Sequence, residues 1–144
     1  SNTRLIDDAD LPGLLKLDKE AFGADRGAVL NWMQGEGKRF SYVAVDSGKF
    51  EGYCFGRVGY LYTHIGPVVA QNFETAQQLV SSVLKDVADR PIILDVPHGK
   101  PDWIAWLTSK GFLEKRTFTR MYRGVNPYPG ISEKQFAILG PEFG

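Results

Sequence analysis

Tyr62-Thr-His-Ile-Gly-Pro-Val-Val-Ala70 runs straight into Gln71-Asn-Phe-Glu-Thr-Ala76, and an apolar stripe at Leu79, Val80, Val83, Leu84 and Val87 follows. The first part reads as a strand with Pro67 inside it. Proline has no N–H to give to a ladder, so the strand is expected to be unpaired or bulged there. The stripe has helical spacing, and Asp89-Arg90-Pro91 stops it. Ile92-Ile-Leu-Asp-Val96 is then a near-continuous apolar run, as expected for a strand buried on both faces. Strand, helix and strand in this order predict a βαβ crossover with a parallel pair.

Upstream, Arg4-Leu5-Ile6 predicts a short edge strand. Asp7, Asp8, Asp10 and Pro12 suit a helix N-terminus, where free N–H groups and the dipole favour negative charge. Leu11, Leu14, Leu15, Leu17 and Phe22 mark the buried face of that helix, and Gly23 ends it. A second short helix follows, capped by Asp25 and broken at Gly35-Glu-Gly37. Phe40–Asp46 and Lys49–Tyr60 flank Ser47-Gly48, a two-residue turn signal, so they form an antiparallel hairpin. Gly52, Gly56 and Gly59 in the return strand mark close backbone approach or a bulge.

Downstream, Pro101 opens a helix through Trp103, Ile104, Trp106 and Leu107, and Gly111 caps it in the left-handed conformation. Phe112–Arg123 is expected as a long strand, Gly124–Ile131 as a turn-rich connection and Gln135–Leu139 as a short final strand. The order is β-α-α-β-β-β-α-β-α-β-β. This is an α/β chain of the α+β type, whose mixed central sheet has an antiparallel meander followed by the βαβ crossover.

The chain has 144 residues, 43% of them hydrophobic, with seventeen Lys+Arg against seventeen Asp+Glu. Length and composition predict one globular domain over residues 3–144. Zero net charge leaves no bulk attraction for nucleic acid or an anionic membrane, and no apolar run is long enough to span a bilayer. Lys110–Arg123 is locally basic, but strand alternation splits its charges between two faces. The single cysteine, Cys54, permits no internal disulfide and fits a reducing, cytoplasmic setting. With His64 and His98 it makes no zinc pattern, so no metal is expected. Ser1-Asn2 resembles a tag remnant.

Three stretches sharpen the reading: Tyr62–Ala70, Ile93-Leu-Asp-Val-Pro97 and Gly111-Phe-Leu-Glu-Lys-Arg-Thr-Phe-Thr-Arg-Met-Tyr-Arg-Gly124. With the element order, they resemble the GNAT superfamily of acyl-CoA-dependent N-acyltransferases. Within it they resemble the C-terminal domain of bacterial proteins that carry two GNAT modules in tandem. The resemblance implies a bulged fourth strand splayed from the fifth, with Val68 and Val69 offering backbone groups to the pantetheine arm of acetyl-CoA. It also implies a pyrophosphate site on the following loop and helix N-terminus. Gln71 and Ala76 match the first and last positions of the family's Q/R-x-x-G-x-G/A pattern, and Glu74 replaces its middle glycine. Gln71, Asn72, Thr75 and Ala76 are the implied cofactor contacts.

A second departure is Leu107, which stands where many members place the tyrosine that protonates the leaving thiolate. Tyr60, Tyr62 and Tyr122 are the candidates to replace it. For the general base that an amine acceptor requires, the candidates are His64 on the splayed strand and His98 just beyond the fifth strand. Asp95, Trp103, Arg120 and Tyr122 are candidate substrate contacts, and Arg57 or Arg120 suits a substrate carboxylate. The implied function is acetyl transfer to the amine of a small molecule by direct attack. The other reading is a catalytically silent ligand-binding or interaction module on the same fold. An upstream GNAT domain or a second copy of the chain is the implied macromolecular partner.

Overall fold

The structure is a computed structural model that describes residues 2–87, 90–114 and 130–139. Arg120 and Tyr122 lie outside these residues, as do most of the expected Phe112–Arg123 strand and the connection after it.

The first strand, β1 (Asn2–Leu5), begins inside the segment set aside as a tag remnant, with Asn2 in register with Val45. Helix α1 (Leu11–Phe22) has Pro12 in its first turn and ends at Gly23, φ 97°, whose N–H reaches the Lys19 carbonyl at 2.9 Å. Ahead of it the acidic cluster forms a capping box over one 3-10 turn, and Asp10 accepts the Asp7 N–H at 2.8 Å.

Arg4 donates to both oxygens of Asp10 at 2.7 and 2.9 Å. That hydrogen bonding holds the Asp10 carboxyl below the usual carboxylate range, against the opposing effect of burial. A carboxyl whose pKa falls on folding stabilises the fold above its unfolded value, about 3.9 for Asp. The contribution is lost as the pH drops through the lower folded value. Asp10→Asn is therefore expected to be less stable than wild type at neutral pH. The difference should close in strong acid, which urea melts at the two extremes will show.

Helix α2 (Gly27–Gly37) ends within the Gly35-Glu-Gly37 stretch, at Gly37. Its end is set by a close approach: a Cβ on Gly37 would lie 1.6 Å from the Gly56 carbonyl oxygen. Asp25 accepts the Gly27 N–H at 2.8 Å, one residue ahead of the N-cap position. Strands β2 (Tyr42–Asp46) and β3 (Lys49–Val58) form the hairpin, closed by Ser47 and Gly48 at φ 50° and 78°.

Strand β4 (Thr63–Ala70) pairs antiparallel with β3. Cys54 opposes Val68 and Gly56 opposes Ile65, so Phe55 alone faces Gly66 and Pro67. This is the bulge that Pro67 demanded. Helix α3 (Phe73–Asp86) returns the chain to β5 (Ile92–Leu94), parallel to β4. This strand is shorter than expected and half-buried instead of buried on both faces. The cause is that Asp95 leaves β4 and bridges to Ile138.

Helix α4 (Pro101–Ser109) ends as expected at Gly111, φ 96°. The Phe112 N–H bonds to the Leu107 carbonyl and that of Gly111 to Thr108. These bonds make a Schellman cap, and they take Phe112 out of any strand ladder. Residues 112–114 are accordingly not strand, which corrects the start of the expected Phe112–Arg123 strand. The last described strand, β6 (Gln135–Ala137), pairs with β4.

Apolar side chains pack on both faces of the sheet. Ala44, Cys54 and Val68 meet Leu79, Val80, Val83 and Trp103 on the side of α3 and α4. Val43, Tyr53, Phe55 and Val69 meet Leu14, Leu30 and Met33 on the side of α1 and α2. Burial pushes the Cys54 thiol up to about 12, so this cysteine is an inert core residue. Among the described residues no helix is long and apolar enough to cross a membrane, and no group of His, Cys, Asp and Glu is placed to hold a metal.

Candidate active site where two parallel strands part

β4 and β5 are paired from Thr63↔Ile92 to Ile65↔Leu94, and then they part. Two polar side chains meet where the pairing ends. His64 Nε2 lies 2.9 Å from Asp95 Oδ2, with 13% and 15% of the side chains exposed. A carboxylate accepts, so Nε2 is the donor, and in the neutral ring Nδ1 carries the lone pair. Nδ1 is buried and has no described partner, and neither has the hydroxyl of Thr63, the preceding residue on β4. His64 Nδ1, Thr63 Oγ1 and Gln34 Oε1 are departures, among the described residues, from the general rule that buried polar groups are paired. Arg57 stands in register with His64 across β3.

In the sequence His64 and Asp95 are separate candidates, and the fold pairs them. The signal was available in the crossover: a residue early in β4 and one just past β5 become neighbours when the strands are parallel. His98, by contrast, is exposed on the loop after β5 and makes no hydrogen bond or ion pair with a described residue. Tyr62 is 44% exposed at the tip before β4, and Tyr60 is 98% exposed. Leu107 is buried, its carbonyl used by the α4 cap, and has no proton to give.

At the other end of β4, α3 begins. Asn72 is its N-cap and accepts the Thr75 N–H at 2.8 Å through Oδ1 and the Ala76 N–H at 3.2 Å through its carbonyl. Thr75 and Ala76 are buried, whereas Gln71 and Asn72 are exposed, with the Gln71 N–H on the Glu51 carbonyl. A concavity of about 190 Å³ opens here, lined by Asp46, Glu51, Asn72, Glu74 and Thr75. The helix end favours an anion, while the three carboxylates oppose one.

Val68 and Val69 are buried on β4 and are flanked on both edges. β3 lies on one side, and β6 on the other in the register Val68↔Ala137 and Val69↔Gln135. The sequence expectation of a free strand edge at these residues is therefore corrected: the final strand lies against it. Trp103 is 1% exposed. Its indole donates to the Phe136 carbonyl at 2.8 Å and its ring packs edge-on against Phe136. In this arrangement it clamps β6 and has no open pocket to wall.

The profile of the acetyltransferase (GNAT) domain family matches residues 14–137. The chain belongs to the GNAT acetyltransferase family. Among solved structures it is similar to the Arabidopsis thaliana Naa50 in complex with the bisubstrate analogue CoA-Ac-MVNAL, at TM-score 0.68 and 16% identity, over 88% of this chain and 92% of that one. It is also similar to the ribosomal-protein-S18-alanine N-acetyltransferase of Escherichia coli, at TM-score 0.66 and 16% identity, over 80% and 79%. A GNAT family acetyltransferase from Brucella melitensis in complex with acetyl-CoA matches at TM-score 0.56 and 15% identity, over 67% and 77%. At these identities the likeness is one of fold. No curated protein sequence matches the chain.

Proposed function

We propose that this chain is an acetyl-CoA-dependent N-acetyltransferase that passes the acetyl group to the amine of a small molecule by direct attack. The observation that carries the reading is the His64–Asp95 pair at the point where β4 and β5 part. The acetyl-CoA complex of the Brucella melitensis relative supports the cofactor. When bound, acetyl-CoA supplies the thioester. The residues present suit such a ligand in kind: the N-terminus of α3 for its phosphates, against three nearby carboxylates, and the Val68–Val69 edge of β4, which β6 occupies here, for its pantetheine arm.

The rest is done by this chain. His64 Nδ1 takes the proton that the acceptor nitrogen must lose as its lone pair forms the new C–N bond. Asp95 holds the ring in the required tautomer and stabilises the imidazolium. The C–S bond breaks, and the departing sulfur receives a proton, so that amine and acetyl thioester become amide and thiol. Tyr62 is the nearest candidate acid in sequence; Leu107 cannot serve. Arg57 suits an acceptor that carries a carboxylate.

The silent-module reading is favoured by one observation, that β6 lies between β4 and the end of β5. One experiment separates the two. The protein is incubated with acetyl-CoA and a panel of small amines and of peptides with free N-termini, and products are read by mass spectrometry. Acetylated small amines support the proposal. Acetylated peptides alone would move the acceptor to protein N-termini, as in the name of the Escherichia coli relative. Coenzyme A binding with no product would leave the silent module.

Glu74 gives a separate prediction. Glu74→Gln is expected to tighten coenzyme A binding by about 2–5-fold, the size of a helix-end charge effect of ~0.5–1 kcal/mol. The same change removes a carboxylate that stabilises the first turn of α3, so the melting temperature should fall slightly. Titration calorimetry and thermal melts on one preparation will show the opposed effects.

A further inference from the structure

We propose that the final strand, β6 with Ile138 and Leu139, is an intramolecular occupant of the cofactor groove, which acetyl-CoA must lift off β4 in order to bind. This rests on the cofactor reading above. Where β4 and β5 part after Ile65 and Leu94, the gap is filled by this segment. Ala137 and Gln135 pair with Val68 and Val69, and the Ile138 N–H bonds to the Asp95 carbonyl at 2.8 Å. It takes up the edge of β4 that would otherwise be open to a ligand. The fit is close: a Cβ on Gly66 would lie 2.0 Å from the Ile138 carbonyl oxygen.

The segment is held by a few separable anchors. At its start, Lys134 meets Glu20 at 3.1 Å, and the Gln135 amide and the Ile131 N–H both donate to the Ala21 carbonyl at 2.7 Å. In the middle, Phe136 sits against Trp103, with Lys100 over its ring. The ladder itself is short and carries an irregularity between Val68 and Val69. Few ladder bonds tie such a strand, and its hold comes mainly from Phe136 and Leu139, which are buried on opposite faces of the sheet. In this closed arrangement His64 Nδ1 is buried and has no partner among the described residues.

The consequence inverts the usual link between stability and binding. A ligand that binds only the open form has its affinity reduced by the fraction of molecules that are open. Weakening the anchors therefore raises acetyl-CoA affinity while it lowers stability. A strand that merely completed the fold would lower both.

The test uses the full chain. Acetyl-CoA affinity is measured by calorimetry for wild type, for Phe136→Ala, and for the double variant Lys134→Ala, Gln135→Ala. The double variant touches only anchors outside the core, and it keeps the test intact should Phe136→Ala fail to fold. The double variant is expected to bind about 3–10-fold more tightly and Phe136→Ala about 10–100-fold more tightly. Hydrogen exchange is followed alongside. Amides of residues 135–139 should lose protection with saturating acetyl-CoA and keep it with a nucleotide fragment of coenzyme A that lacks the pantetheine arm. Binding to wild type with full protection retained and no gain in the variants would overturn the proposal and leave the cofactor reading standing. No acetyl-CoA binding to any of the three proteins would overturn the cofactor reading and this proposal together.

Discussion

His64→Gln is expected to lower kcat for amine acetylation by about 10²–10⁴-fold, the contribution usual for a positioned general base. The reason is geometric. His64 Nε2 faces Asp95 at 2.9 Å, which leaves Nδ1 as the nitrogen with a free lone pair. Glutamine keeps much of the volume and polarity but has no group that accepts a proton near neutral pH. Acetyl-CoA affinity should hardly change, because the implied cofactor contacts begin at Val68. Asp95→Asn should give a smaller loss, concentrated in kcat, because an amide can still hold the ring but cannot stabilise its charged form. His98→Ala serves as the comparison. A loss at His98 with wild-type turnover in His64→Gln would assign the base to the exposed loop and return the His64–Asp95 pair to a structural role.

The largest effect on stability is expected at Asp18, remote from the groove. Its carboxylate accepts from Arg26 Nε and Nη2 at 2.8 and 2.7 Å and also from the Tyr53 hydroxyl. Asp18 is 1% exposed and Tyr53 fully buried. Burial, and then the Asp18 charge, push the Tyr53 hydroxyl well above its ordinary range, so it stays a donor. Asp18→Asn leaves the Arg26 guanidinium in the interior without its counter-charge. Breaking such a pair costs about 3–5 kcal/mol. For a chain of this size that lowers the melting temperature by roughly 10–20 °C. The triple replacement Asp18→Leu, Arg26→Met, Tyr53→Phe should recover most of the loss, because removing all three groups leaves no buried charge to satisfy. Urea melts will distinguish the two cases. A triple variant as unstable as Asp18→Asn would show that packing, not charge, is at stake.

Neither of these arrangements follows from the spacing within any one segment. Asp18 lies on a helix stripe, Arg26 sits next to a helix start and Tyr53 alternates along a strand. Each is ordinary in its own segment. His64 and Asp95 are likewise single polar residues in apolar strands. Charges and hydrogen-bonding groups in a folded interior are satisfied by whatever the fold brings near, and that neighbour is set by the packing of whole elements.

What the sequence determined by itself was local. Pro67 forced the bulge in β4, Ser47-Gly48 made the hairpin turn, Gly23 and Gly111 ended their helices, and Asn72 opened α3. In each case one residue's backbone freedom or side-chain acceptor decides the conformation within a turn of itself, so the signal lies in a handful of adjacent positions. The apolar periods likewise marked the faces of the helices and strands that became the core. What only the tertiary structure decided was partnership: that Gln135–Leu139 would lie between β4 and the end of β5, that Trp103 would hold it there, and that His64 would meet Asp95. A three-residue strand carries no register information of its own. Its place depends on which edge is open and on which side chains, here Phe136 and Leu139, find a buried site on either face of the sheet. Those are free-energy differences between distant pairings, and no window of the chain contains both halves of the comparison.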